Sequence, residues 1–183
     1  MRVAKARIPE ESVLYPNCST YSYTDSYEGM VTDEHNRASI EAFGRLFLKP
    51  GPKWVDWLFV LRNRIVSVFG LKTPSNRMDA DSLNKLEFEP GKQAGLFRVF
   101  SVAENEIVLG EDDKHLKFRV SLFLDGGKSN QQQKVVTVTT AVVFNSWFGR
   151  LYFIPVKPFH KLIVRTGLKS SLKQLEAEVA AYN

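Results

Sequence analysis

Four strand patterns that follow one another between residues 96 and 144 limit the fold more than any other feature of the sequence. The segments LFRVFSVA, EIVLGE, HLKFRVSLFL and KVVTVTTAVVF are rich in β-branched and aromatic residues, as strands are. Residues 104–105 separate the first two segments and residues 112–114 separate the next two, and both separations have the composition of tight turns. This spacing predicts an antiparallel meander.

One strand before the meander and helices on both sides of it complete the predicted order. The segment TYSYTDSYEGMV alternates tyrosine with serine or threonine, which is typical of a half-buried strand. Because strands and helices segregate along the chain, the predicted class is α+β, with a single domain over residues 1–183 and a long loop over 70–90. The helical patterns are residues 33–48 with Thr32 or Asp33 as the cap, residues 54–69, and most of the chain after Pro158.

The cysteine and histidine content excludes several kinds of site. Cys18 is the single cysteine, which excludes an internal disulfide and a multi-cysteine zinc site. His35, His115 and His160 have no metal-ligand spacing, and no glycine-rich nucleotide motif occurs, so neither a metal nor a cofactor is predicted. The basic start of the chain has no apolar run behind it, so we expect no signal peptide and a cytoplasmic location.

The order of elements resembles the helix-grip fold of the START-like (SRPBCC) superfamily, which includes polyketide cyclases and lipid-transfer domains. The segments LRNRIVSVFGLK, GEDDKHLKFRVSL and FGRLYFIPVKPFHKLIV are similar to an uncharacterised bacterial family in that superfamily, a domain of unknown function. The similarity runs from about Pro9 to about Leu172. The resemblance implies an antiparallel curved sheet around a long C-terminal helix, with two helices inserted after the first strand. It also implies an internal cavity for an apolar or amphipathic small molecule.

The acidic segment between the second and third strands of the meander has two interpretations. Asp112, Asp113 and His115 could form an acid–base set, because a histidine beside carboxylates can transfer protons near neutral pH. The alternative is a hairpin turn, since aspartate favours bends by bonding nearby backbone amides. If the apolar face of the following strand lines the core, His115 points outward. We therefore favour the turn.

A second set of candidates lies around the predicted cavity, which helices 33–48 and 54–69, the loop 70–90 and the C-terminal helix would enclose. His160 flanks an apolar set on that helix, and we favour a partly buried histidine that bonds to the backbone or to a tyrosine hydroxyl. The alternative is a histidine that faces the cavity and orients a polar ligand group or acts as a base. Arg62 lies near the apolar face of its helix and needs an acceptor, either Asp25, the acids at 111–113, or a ligand carboxylate or phosphate. The predicted ligand-binding residues are His160, Arg62, Tyr23, Tyr27 and Phe159.

Basic residues recur every four positions along the C-terminal helix, namely Lys157, Lys161, Arg165, Lys169 and Lys173. No acid occurs from Ser146 to Leu175, and four-residue steps keep the charges on one ridge. We favour a solvated outer face, and contact with an anionic membrane is the alternative. Nucleic acid is not expected as a partner, because no aromatic residues alternate with these charges.

The same helix has two apolar sets on nearly opposite sides. Because a straight helix cannot bury both against one sheet, we predict a break or kink at Gly167, or a second surface such as a homodimer partner over the later set. The earlier set is Phe159, Leu162 and Ile163, and the later set is Leu168, Leu172, Leu175 and Val179.

The resemblance implies a small-molecule binding module with an apolar internal cavity, and the 13 Phe, 6 Tyr and 3 Trp available to line a pocket favour this interpretation. An enzyme in the same cavity is the first alternative. It would be a cofactor-independent cyclase, dehydratase or hydrolase that uses His160 or the acids with a tyrosine. A non-catalytic accessory protein that acts through its surface is the second alternative.

Overall fold

A computed structural model describes residues 1–49, 83, 85–126 and 132–181. Seven strands form one antiparallel sheet in the order β1-β2-β7-β6-β5-β4-β3, so the predicted meander and the α+β class are confirmed. A long C-terminal helix lies on the curved sheet, as in a helix-grip fold. The strands are β1 (Val3–Lys5), β2 (Tyr23–Thr32), β3 (Gln93–Ala94), β4 (Phe97–Ala103), β5 (Glu106–Asp112), β6 (Leu116–Asp125) and β7 (Gln133–Phe144).

A 3-10 helix (Tyr15–Thr20) precedes β2, and helix α1 (Ile40–Leu48) follows it. The predicted start of α1 at Thr32 or Asp33 is wrong, because Ser39 is the N-cap and its side chain accepts a hydrogen bond from the amide of Ala42. Asp33 uses the same capping chemistry on the loop before the helix. The second predicted helix, residues 54–69, lies outside the described residues.

Helix α2 (Trp147–Ala180) begins well before Pro158, where the sequence pattern placed its first turn. Ser146 is the N-cap and accepts from the amide of Gly149 at 3.2 Å. Pro155 and Pro158 therefore lie inside the helix, and each removes one backbone donor. The residues four positions earlier, Leu151 and Ile154, are exposed, so water can reach the carbonyls left without an amide partner.

The predicted break at Gly167 is wrong, because α2 continues through that residue as one helix. The later apolar set lies in the core of the same chain, where Leu168 and Leu172 are fully buried. No second surface is needed to cover it. The earlier set has the opposite orientation, since Phe159 and Leu162 are exposed on the far side of the helix. The two sets do lie on different sides, but the later set, for which a second surface was one prediction, is the one buried in the core.

Both faces of the sheet are covered. On the concave face, α1 and α2 bury a core that includes Phe43 and Leu109. On the convex face, the segment before β2 contributes Leu14, which packs against Val108 and Ala141. The buried carboxylate of Glu106 holds this segment in place, because it accepts hydrogen bonds from Ser12 Oγ at 2.6 Å, the amide of Val13 at 2.9 Å and Ser121 Oγ at 2.5 Å. Within the part of the chain that the structure describes, no helix is long and apolar enough to cross a membrane.

Candidate functional site

A buried carboxylate lies at the end of the concave face, where the start of β2 meets the middle of α2. Asp25 is only 5% exposed, and its Oδ2 accepts a hydrogen bond from the Tyr23 hydroxyl at 2.6 Å. Its Oδ1 lies 3.5 Å from Nε2 of His160 and makes no hydrogen bond among the described residues. Burial raises the pKa of the Asp25 carboxyl, but contacts with His160 and Tyr23 outweigh it and hold the pKa below its ordinary value.

The strands and the helix place a fourth polar side chain in this cluster. Thr140 lies directly opposite Asp25 across β2 and β7, and its Oγ1 is 3.0 Å from Nε2 of His160. Asp25 and Thr140 therefore both contact Nε2, the same nitrogen of the imidazole. A nucleophile–histidine–acid triad needs its two partners on opposite nitrogens, so the cluster does not have the geometry that would activate Thr140 as a nucleophile.

The Tyr23 phenol acts in this cluster as a donor. Burial, the hydrogen bond to Asp25 and the charge of that carboxylate together raise the pKa of Tyr23 far above its ordinary value. The hydroxyl therefore keeps its proton near neutral pH. It cannot serve as a general base there, but it can hold Asp25 in a fixed position.

A surface groove of about 380 Å³ adjoins the cluster between the start of β2 and α2. Its positive charge comes from Lys157 and Lys161 of α2 and Lys5 of β1. The ammonium group of Lys157 lies 4.8 Å from the centre of the Tyr23 ring, close enough for a cation–π contact. The remaining lining residues are Tyr21, Ser22, Tyr23, Thr24 and Asp25. The groove is therefore suited to an anionic group.

The structure brings together only part of the predicted ligand-binding set. His160 and Tyr23 meet at Asp25. Tyr27 lies further along the same face of β2, buried in the core with the Arg165 guanidinium 5.8 Å from its ring. Phe159 is exposed on the outer side of α2 and does not line this groove. Arg62 lies outside the described residues, and Asp25, one of its possible partners, is paired with His160.

The acidic turn at residues 112–114 makes contacts that are separate from the Asp25 cluster. Asp112 Oδ1 accepts from Arg119 at 2.8 Å, and this hydrogen bond, against a smaller effect of burial, lowers the pKa of Asp112. The Asp113 amide donates to the carbonyl of Leu116, which closes the bend. His115 is partly buried, with Nδ1 3.2 Å from Ser146 Oγ and its ring against Phe148. The turn thus connects β5 and β6 and contacts the first turn of α2.

We expect replacement of both Asp112 and Asp113 by asparagine to lower the free energy of unfolding by no more than about 1 kcal/mol, because asparagine also suits turns and the Asp112–Arg119 pair is half-exposed. Urea denaturation of the double variant measures this change. A folded double variant that loses ligand binding would contradict the structural interpretation and favour a chemical role for the acids.

Thr140 of the cluster and Lys5 of the groove are two members of the site that the sequence analysis did not identify. Thr140 shares a face of β7 with the buried Val136 and Val138, so a polar residue on an apolar face was an available signal. No signal in the sequence could have identified Lys5, because its place in the site depends on the pairing of β1 with β2. Among the residues that the structure describes, no three histidine, cysteine or carboxylate side chains converge to hold a metal ion.

Comparison with known proteins identifies one family. A family model described as "Protein of unknown function (DUF2867)" matches residues 18–167. No curated protein matches the chain, and no solved structure matches it. The matched range contains Tyr23, Asp25, Thr140 and His160, whereas Lys5 lies before it.

Proposed function

The chain belongs to the DUF2867 family, whose function is unknown, and we propose that it is a START-like binding module for a small amphipathic molecule. The groove beside the Asp25 cluster is the observation that carries this proposal. Ligand sites of this kind combine apolar surface with a few fixed polar groups that orient the guest. Here the fixed groups that line the groove are Tyr23 and Asp25. His160 and Thr140 lie next to Asp25 and are not among the lining residues that the structure describes.

The charge around the groove favours a guest with an acidic end. Lys5, Lys157 and Lys161 line it, and Asp25 is the single acid among the described residues that line it. Because the Asp25 carboxylate is already satisfied in part by Tyr23 and faces His160, the lysines are left to neutralise an incoming carboxylate, sulfonate or phosphate. The rings of Tyr21 and Tyr23 supply apolar surface for the rest of the guest.

The enclosed, mostly apolar cavity that the sequence predicts remains part of the proposal. One of its predicted walls is formed by residues 54–69, which with Arg62 lie outside the described residues. The groove that the described residues form is open and mostly polar. We therefore assign the acidic end of the guest to the groove, and its deeper apolar contacts stay a prediction.

The same cluster supports a second candidate, a cofactor-independent enzyme of the cyclase, dehydratase or hydrolase type. Asp25 orients the imidazole of His160 as the acid does in many general-base sites. Since Thr140 and Asp25 both contact Nε2, proton transfer to a substrate would have to use Nδ1. We rank binding first because it needs only the groove and its lysines, and no such approach of a substrate to Nδ1.

Two fluorescent probes of similar shape and different charge test the binding proposal. We expect anilinonaphthalene sulfonate and neutral phenylnaphthylamine both to bind the native protein with saturable, stoichiometric titrations. Replacing Lys157 and Lys161 with glutamine should weaken the sulfonate about fivefold or more, because it removes charge-assisted contacts, and should change the neutral probe little. His160→Ala should also weaken the sulfonate more than the neutral probe.

The matched control is Lys169→Gln with Lys173→Gln, which removes two charges at the same spacing on α2 outside the groove. This control should bind both probes as the native protein does. If both double-lysine variants weaken binding of the sulfonate equally, the effect is one of general charge, and the proposal that the sulfonate binds in the groove is contradicted. If neither probe binds, the carrier proposal fails and the accessory-surface interpretation takes its place.

A further inference from the structure

The first half of α2 presents an apolar stripe to solvent. Trp147 is 75% exposed and Ile154 is 67% exposed, and Leu151 and Leu162 are more than half exposed. Pro158, also exposed, lies between Ile154 and Leu162. Steps of three and four residues place these side chains on one side of the helix, opposite the buried Phe153. Exposed apolar side chains gathered in this way usually mark an interaction surface.

Basic residues flank and extend this stripe. Arg150 and Lys157 are exposed beside it, and Arg165 and Lys169 continue the outer side of the helix. No acidic residue occurs between Ser146 and Leu175, so the helix itself offers no compensating charge along this length. An outer helix face with tryptophan and leucine among lysine and arginine side chains has the composition of a helix that lies in a membrane interface.

We propose that this face of α2 docks onto the surface of an anionic phospholipid bilayer. The stripe from Trp147 to Leu162 is roughly 22 Å long, so it would lie flat with its apolar side chains at the level of the headgroups. The flanking lysine and arginine side chains would then reach the anionic headgroups. The exposed indole of Trp147 suits the same level, where tryptophan is enriched.

The charge of the helix favours an anionic bilayer over a second copy of the chain as the partner of this stripe. Two copies that paired through the stripe would bring Arg150, Lys157 and Arg165 close to the same cations of the partner. No acid in this part of the helix offsets that repulsion. A bilayer that contains anionic lipids attracts the same residues.

Docking of this kind stands apart from ligand binding in the groove. Trp147, Leu151 and Ile154 do not line the groove, so substitutions there can remove membrane contact and leave the groove intact. The groove shares Lys157 and Lys161 with the helix, which would place its opening beside the docked face. Failure of either proposal leaves the other testable.

Sedimentation with vesicles tests the docking surface on the full chain. We expect the protein to bind vesicles of equal parts phosphatidylcholine and phosphatidylglycerol, to bind pure phosphatidylcholine weakly, and to be released by salt. Leu151→Ser with Ile154→Ser should weaken the binding about tenfold or more, because the pair removes two neighbouring apolar side chains of the stripe. Arg150→Gln should weaken it roughly fivefold, which corresponds to the loss of one charge near the surface.

Met30→Ser is the matched control, since Met30 is 59% exposed on β2 and away from the stripe, and this variant should bind vesicles as the native protein does. An unchanged circular dichroism spectrum and urea denaturation curve should show that the Leu151/Ile154 variant is folded, and probe binding in the groove should survive in it. The proposal is overturned if the native protein does not bind anionic vesicles or if the Leu151/Ile154 variant binds them equally well. It is also overturned if sedimentation equilibrium finds a dimer that these two substitutions dissociate.

Discussion

Replacement of Asp33 by alanine is expected to lower the free energy of unfolding by about 3–5 kcal/mol, the usual effect of removing one partner from a buried ion pair. Asp33 is fully buried and lies 2.9 Å from the ammonium group of Lys134, which is itself almost fully buried. The carboxylate also accepts hydrogen bonds at 2.8 Å from the amides of Arg37 and Ala38. Without it, two backbone donors lose their acceptor, and the buried Lys134 loses its counter-ion although it still donates to the carbonyl of Ala38 at 3.0 Å.

The same contacts determine how the effect depends on pH. Burial raises the pKa of Asp33, but the two amides and Lys134 outweigh it and hold the pKa below its ordinary value of 3.8. A lowered folded pKa means that the carboxylate stabilises the fold above the unfolded pKa and loses this effect as the pH falls through the folded pKa. Urea denaturation should therefore show a large difference between native protein and variant at neutral pH and a smaller one in acid.

A double variant, Asp33→Asn with Lys134→Met, separates the effect of the ion pair from the effect of the loop hydrogen bonds. Asp33→Asn keeps a side-chain oxygen for one amide, and Lys134→Met removes the buried cation at similar length. We expect the double variant to be more stable than Asp33→Ala, because it leaves no unpaired charge inside the protein. If the double variant is as unstable as Asp33→Ala, the loop amides, and not the ion pair, account for the loss.

The elements whose residue pattern repeats within one segment could be predicted from the sequence. Alternation with a period of two was enough for β4 to β7 and for the turns between them, because each antiparallel neighbour is close in the chain. The helix ends were less predictable. Asp33 has the chemistry of an N-cap but caps a loop, and Pro158 is tolerated inside α2 on its exposed side, so both local signals pointed to the wrong residue.

The candidate site depends on contacts that no local pattern contains. Asp25 and Thr140 meet through the register of β2 and β7, and His160 reaches them only because α2 begins at Trp147 and continues over the sheet. The sequence identified His160 and Tyr23 as polar groups near apolar faces. It offered Asp25 as one possible partner of Arg62 and did not pair it with His160, since nothing in the spacing distinguishes an arginine from a histidine as the partner of a buried acid.

The contact between α2 and β2 leads to the second large stability prediction. Leu172 is fully buried, and its Cδ1 occupies the space where Gly29 has no side chain, because a Cβ added to Gly29 would lie 2.5 Å from that atom. Leu172→Ala should lower the free energy of unfolding by about 3–5 kcal/mol, through lost burial and the cavity left behind. Gly29→Ala should lower it by about 1–3 kcal/mol, because the new methyl group overlaps Leu172 and also approaches the backbone oxygen of Arg2.

Combining the two substitutions tests whether they act at one contact. In the double variant the methyl group of residue 29 enters the space that Leu172 vacates, so its destabilisation should be smaller than the sum of the single effects by about 1 kcal/mol or more. Leu168→Ala is the matched control, since Leu168 is equally buried one helical turn earlier. Its effect should simply add to that of Gly29→Ala. Additive energies for both pairs, measured by urea denaturation, would mean that α2 does not pack on β2 through Leu172. The later apolar set of the helix would then need another surface to cover it.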